Sequence, residues 1–160
     1  MKKILVLLFI LTAFQVYAFD VDNLKGADCM KTSDAEADGF DPDMWYTYQC
    51  TFSSSATMES IYKDVIQNIA DEASQILSNA DDFSQSFFDN KIKEFKNRKQ
   101  DFSYTKSYNM NFFSIGVQFE KNNIIIRTNE GQGEESYSYI ISKSSSDSSI
   151  LLTYEYDSGF

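Results

Sequence analysis

The sequence predicts an α+β fold: an antiparallel meander sheet of about five to six strands, covered on one face by two helices. Three observations carry this. Apolar residues recur at helical spacing between residues 57 and 98, and they alternate at strand spacing from Phe102 to Tyr156. The links between the alternating stretches are short, which favours strands that turn back on their neighbours.

In chain order, Lys2 and Lys3 precede an almost unbroken apolar run from Ile4 to Phe14, and Val16-Tyr17-Ala18 follows. A charged start, a short apolar stretch and a small residue before the cut define a secretory signal. A membrane anchor needs about 20 apolar residues, and Gln15 and Asp20 end this run too soon. The expected organisation is a cleaved signal peptide at 1–18 and a single exported α+β domain at 19–160, placed in the periplasm or outside the cell.

Residues 19–43 are acidic, punctuated by Gly26, Gly39 and Pro42, and show no hydrophobic period, so they read as loop. Met44 to Phe52 is rich in Trp, Tyr, Thr and Phe and reads as a strand. Met58, Ile61, Tyr62, Val65, Ile66, Ile69, Ala73 and Ile76 mark an amphipathic helix over about 57–78. Phe83, Phe87, Phe88, Ile92 and Phe95 mark a second, ending near Arg98. Alternation then marks five strands, beginning at Phe102, Phe113, Asn123, about Tyr137 and Ile150, with Lys121-Asn122 as a tight hairpin turn. Tyr137, Tyr139, Tyr154 and Tyr156 share the parity of Ile141 and Leu152, which assigns them to the core face. The order of elements is similar to cystatin-like or nuclear-transport-factor-like sheets wrapped on a helix, a likeness of architecture without a shared motif.

Composition narrows the chemistry. The chain has 160 residues, 24 acidic and 14 basic, and no histidine. Two of the lysines lie in the leader and none of the acids do, so the remainder carries a formal charge of −12. Such a chain is repelled by phosphate backbones, which argues against nucleic acid. Without histidine, the Ser-His and Cys-His nucleophile systems and imidazole-built metal sites are excluded. Cys29 and Cys50 are the two cysteines, and in an oxidising compartment they predict one disulfide. Closing a loop of about 22 residues contributes roughly 3 kcal/mol.

Asp34, Glu36 and Asp38, followed by Gly39, let a turning loop aim hard oxygens at one point, a candidate for weak calcium binding. The calcium-hand pattern is incomplete, since Trp45 stands where its final glutamate belongs. Otherwise no cofactor is expected. Lys91, Lys93, Lys96, Arg98 and Lys99 gather at the end of the second helix, where cations offset the dipole. Glu134-Glu135 and Glu155-x-Asp157 offer carboxylate pairs, but no constellation specifies catalysis, so no enzyme is expected.

The expected function is a small exported interaction protein, in its specific form an inhibitor or immunity protein that binds another exported protein with a basic surface. The partner-facing residues are Asp28, Asp34, Glu36, Asp38, Asp41 and Asp43, held by the disulfide. The alternative is a small-molecule-binding or envelope-assembly domain using a cup between sheet and helices. A large apolar cavity favours the alternative, and a filled core favours the interaction protein.

Overall fold

The computed structural model describes residues 24–35, 44–76, 84–98, 100–108, 113–130, 135–144 and 149–158. The elements are β1 (Ala27–Ala35), β2 (Met44–Phe52), α1 (Met58–Ile76), α2 (Gln85–Arg98), β3 (Phe102–Tyr108), β4 (Phe113–Phe119), β5 (Asn123–Glu130), β6 (Glu135–Lys143) and β7 (Ile150–Ser158). The fold is α+β. Its seven strands form one antiparallel sheet in the order β1-β2-β7-β6-β5-β4-β3. The leader, 1–18, lies outside the described residues, and none of the described helices is long and apolar enough to cross a membrane.

The expected five to six strands become seven because β1 occupies part of the segment read as loop. Its inward positions, Ala27, Cys29 and Lys31, are small or charged, so it has no apolar alternation to detect. An edge strand needs little apolar burial when ladder hydrogen bonds and a disulfide attach it. Cys29 stands directly opposite Cys50 and is bonded to it. The ladder shifts register between Lys31 and Ser33, a bulge of the kind that twists sheet edges.

Local chemistry explains the other boundaries. Thr57 caps α1: its hydroxyl accepts from the Ser60 amide at 3.1 Å, and the Ser60 hydroxyl accepts from the Thr57 amide at 2.9 Å. This reciprocal pair satisfies amides that a helix start leaves unpaired. At the β4–β5 hairpin, Glu120 and Asn123 exchange backbone bonds of 2.9 and 3.3 Å around Lys121-Asn122.

Rows of side chains cross the inner face of the sheet. One holds Phe102, Phe119, Ile124, Ile141, Leu152 and Cys50; the next holds Tyr104, Val117, Ile126, Tyr139, Tyr154 and Tyr48. A third holds Lys106, Ile115, Thr128, Tyr137, Tyr156 and Tyr46. The four tyrosines assigned to the core by parity are buried.

Both helices pack on this face. Tyr62 of α1 lies 5.5 Å from the Phe119 ring, and Phe95 of α2 lies 5.2 Å from it. Phe87 meets Tyr104 at 5.4 Å, and the Tyr62 hydroxyl donates to the Phe88 carbonyl at 3.1 Å. Each fully buried Ile, Val or Phe here contributes about 1.5–3 kcal/mol. One expectation is narrowed: the described helix–sheet ring contacts concentrate on β3 and β4, with α1 also close to β6. Over β2 and β7 the described contacts are tyrosine on tyrosine, as in Tyr46–Tyr156 at 4.9 Å and Tyr139–Tyr154 at 5.1 Å.

Both edge strands carry a lysine at an inward position. Lys31 Nζ on β1 sits 5.7 Å from the Tyr46 ring centre. Lys106 Nζ on β3 sits 4.7 Å from Tyr108 and 5.1 Å from Phe87. Each cation faces the electron-rich side of a ring, an attraction of about 0.5–1 kcal/mol at exposed sites.

Candidate interaction face and carboxylate pair

The outer face of β1, β2 and β7 has its own chemistry. Because Cys29 and Cys50 point inward, Asp28 and Met30 on β1 and Trp45, Thr47, Gln49 and Thr51 on β2 point outward. Glu155 lies opposite Thr47, and Asp157 lies opposite Trp45. Among the described residues, the large apolar side chains left exposed are Met30, at 67%, and Trp45, at 43%. Their places in the ladder are separated by four residues of β2, about 13 Å at strand rise. Asp28, Glu155 and Asp157 are exposed around them, and the described outward positions of β1, β2, β7 and β6 hold no lysine or arginine. An aromatic ring and a methionine within an acidic rim are the composition of a protein-binding surface.

A second cluster lies at one end of the inner face. Glu130 ends β5 and Glu135 begins β6, and the ladder sets them directly opposite each other. Like charges facing each other across strands repel. Burial, reinforced by the Glu135 charge, pushes the Glu130 carboxyl up to about 7. The Tyr137 hydroxyl donates to Glu135 Oε2 at 2.9 Å. Burial raises Tyr137 far above the ordinary tyrosine range, with the two carboxylates adding to the effect. Tyr156 is raised as well, by burial first, and its hydroxyl shares a hydrogen bond with Ser158. This arrangement holds a proton near neutral pH.

Of the residues expected to form a site, Cys29 and Cys50 are joined as anticipated. Asp28 is exposed on β1, and Asp34 belongs to the same strand, its backbone opposite Tyr46. Glu36, Asp38, Asp41 and Asp43 lie outside the described residues, and with them most of the proposed calcium loop. Among the described residues, no three His, Cys, Asp or Glu side chains gather as metal ligands do. The basic cluster on α2 has local partners: Glu94 accepts from Lys91 at 3.1 Å and from Arg98 at 2.5 Å, while Lys96 reaches Glu59 on α1. Lys96 and Lys63 together hold the Glu59 carboxyl below its usual value.

Sequence reasoning missed Met30, which it placed in a loop, and did not single out Trp45. A usable signal was present, since Trp45 is out of parity with Cys50 and so faces away from the disulfide. Sequence reasoning also did not single out the opposed carboxylates Glu130 and Glu135, which register alone reveals. No known protein family, curated protein or solved structure matches this chain.

Proposed function

We propose that this is an exported interaction protein, without enzymatic activity, that binds another exported protein through the outer face of the β1–β2 hairpin and β7. The observation that carries this reading is the pairing of exposed Met30 and Trp45 with an acidic rim that holds no cation at the described outward positions of those strands. The aromatic and methionine side chains supply buried contact area, and Asp28, Glu155 and Asp157 select a basic partner. The acidic segment from the end of β1 to the start of β2, with Asp34, Glu36, Asp38, Asp41 and Asp43, adds to the negative charge of the chain and speeds encounter with a basic partner. Inhibition or immunity toward a secreted enzyme or toxin is the role this chemistry suits. Exported status rests on the leader and is compatible with the Cys29–Cys50 bond. Between helices and sheet, the side chains of Tyr62, Phe88 and Phe119 are fully buried among the described residues, which supports this reading over a ligand cup there.

Affinity capture from the exported fraction of the native cell tests it, with wild-type protein beside Met30→Ser/Trp45→Ala. A basic protein retained by the wild type and lost by the variant supports the reading. Its association should slow as salt rises, and should also slow in Asp34→Asn/Glu36→Gln/Asp38→Asn. Equal retention by the Met30/Trp45 variant sinks the assignment of this face.

A further inference from the structure

We propose that a shallow groove on the outer face of β3, β4 and β5 binds the ring of an acidic sugar, a uronate unit of a saccharide, with Arg127 taking the carboxylate. This site is separate from the Met30–Trp45 face and does not depend on it.

The groove exists because a side chain is missing. Thr105, Gly116 and Arg127 stand side by side on adjacent strands. Gly116 leaves a space of about 260 Å³, lined among others by Ser103, Thr105, Gln118, Arg127 and Asn129. Glycine in a strand interior weakens it by roughly 0.5–1 kcal/mol relative to alanine, so its presence needs a reason. Backbone conformation does not supply one, because among the described glycines the one with a positive φ is Gly26, and Gly116 lies in ordinary strand backbone. Packing does not supply one either: a Cβ at Gly116 would meet Thr105 Oγ1 at 3.4 Å and the Tyr104 carbonyl at 3.9 Å, ordinary contact distances. What remains is room for something that approaches the backbone closely.

The lining says what that is. In a chain of net charge −10, the charged group at this groove is a guanidinium. Among the described residues no carboxylate pairs with it: Ser138 stands between Arg127 and Glu155, which puts that acid two strands away, about 10 Å. The planar fork of arginine matches a carboxylate through two parallel hydrogen bonds. Around it, Ser103 and Thr105 offer hydroxyls. Gln118 donates to Glu120 Oε1 at 2.6 Å and Asn129 to Ser114 Oγ at 3.4 Å, which leaves each amide its carbonyl oxygen and a second N–H, a set that suits adjacent ring hydroxyls. The volume lies just below the roughly 300 Å³ where drug-sized sites begin, so it takes one ring. A peptide would need free backbone groups, and on this face those groups are already spent on the ladder. Phosphate is served best by clustered backbone amides, which a ladder also withholds.

The test is titration of the whole exported protein with a uronate trisaccharide, followed by amide NMR and calorimetry. The neutral trisaccharide of the same linkage, triglutamate and inorganic phosphate are titrated in parallel. Uronate should move the amides of Thr105, Gly116 and Asn129 and bind most tightly of the four. Arg127→Gln should weaken it by about tenfold or more, and Arg127→Lys by less. Gly116→Ala should weaken it severalfold while the thermal midpoint holds or rises. The proposal falls if those amides stay still at millimolar uronate, if triglutamate or phosphate binds as well, or if Arg127→Gln leaves affinity unchanged.

Discussion

The two halves of the inner face reach the same burial with different side chains. Toward β3, β4 and β5 the rows are mostly phenylalanine, valine and isoleucine, with rings of α1 and α2 laid on them. Toward β6, β7 and β2 they are tyrosines stacked on one another, each ring carrying a hydroxyl. The first half is held by area removed from water, and its apolar alternation announces it. In the second, every buried hydroxyl must be satisfied, and the row beyond the tyrosines is Glu130 and Glu135. Substituting tyrosine for aliphatic side chains gives the sheet one dry side and one rich in buried hydroxyls, with the Glu130–Glu135 pair at the boundary between β5 and β6.

The sharpest way to break this comparison is in the dry half. Phe119 contacts rings from α1, α2 and β3, so Phe119→Ala should cost about 3–5 kcal/mol in urea denaturation. A loss below about 1 kcal/mol would mean that helix packing is not what holds this side.

Next comes the staple. Cys29→Ser/Cys50→Ser should lower stability by roughly 3 kcal/mol, with amide exchange rising in β1 and β2 well before β4 and β5. Uniform loosening of the whole sheet would show that the hairpin and the meander are one cooperative unit.

A smaller effect, of opposite sign, belongs to the carboxylate pair at the boundary between the two halves. Glu130 ordinarily titrates near 4.5 and does so at about 7 in the folded protein. The folded state therefore holds this proton more tightly than the unfolded chain. Stability is undiminished below about pH 4.5 and falls as pH climbs through 7. Solvent access at the half-buried carboxyl limits the effect to roughly 1–2 kcal/mol. Glu130→Gln should be more stable than wild type by that amount at pH 8 and equal to it at pH 4. An unchanged slope between those values would show that Glu130 does not hold the proton. Smallest of all, Trp45→Ala on the outer face should shift stability by about 0.5 kcal/mol or less, which lets its effect on partner capture be read cleanly.

How far the sequence revealed this follows from where apolar side chains decide structure. The spacing from Met58 to Ala73 outlined α1, and alternation from Phe113 to Tyr156 outlined β4 to β7, because burial is one-sided in both. β1 was hidden, since Ala27, Cys29 and Lys31 bury little and the disulfide replaces what they lack. The pairing of β2 with β7 joins segments separated by both helices and four strands, and no local pattern encodes it. The Glu130–Glu135 pair and the Gly116 groove depend on register across strands, which composition does not carry.

The lysines at the two edges have a consequence for how the molecule behaves in a crowd of its own copies. An open sheet ends in unsatisfied amides and carbonyls, and a second sheet can extend the ladder there. Any strand added beside β1 or β3 would have to pack its inward side chains against the ammonium of Lys31 or Lys106, now resting on aromatic rings. Desolvating that charge opposes the docking of an apolar strand, and the bulge in β1 spoils the flat template on its side. The sheet therefore resists growing into a fibre at either margin, while its broad outer face stays available.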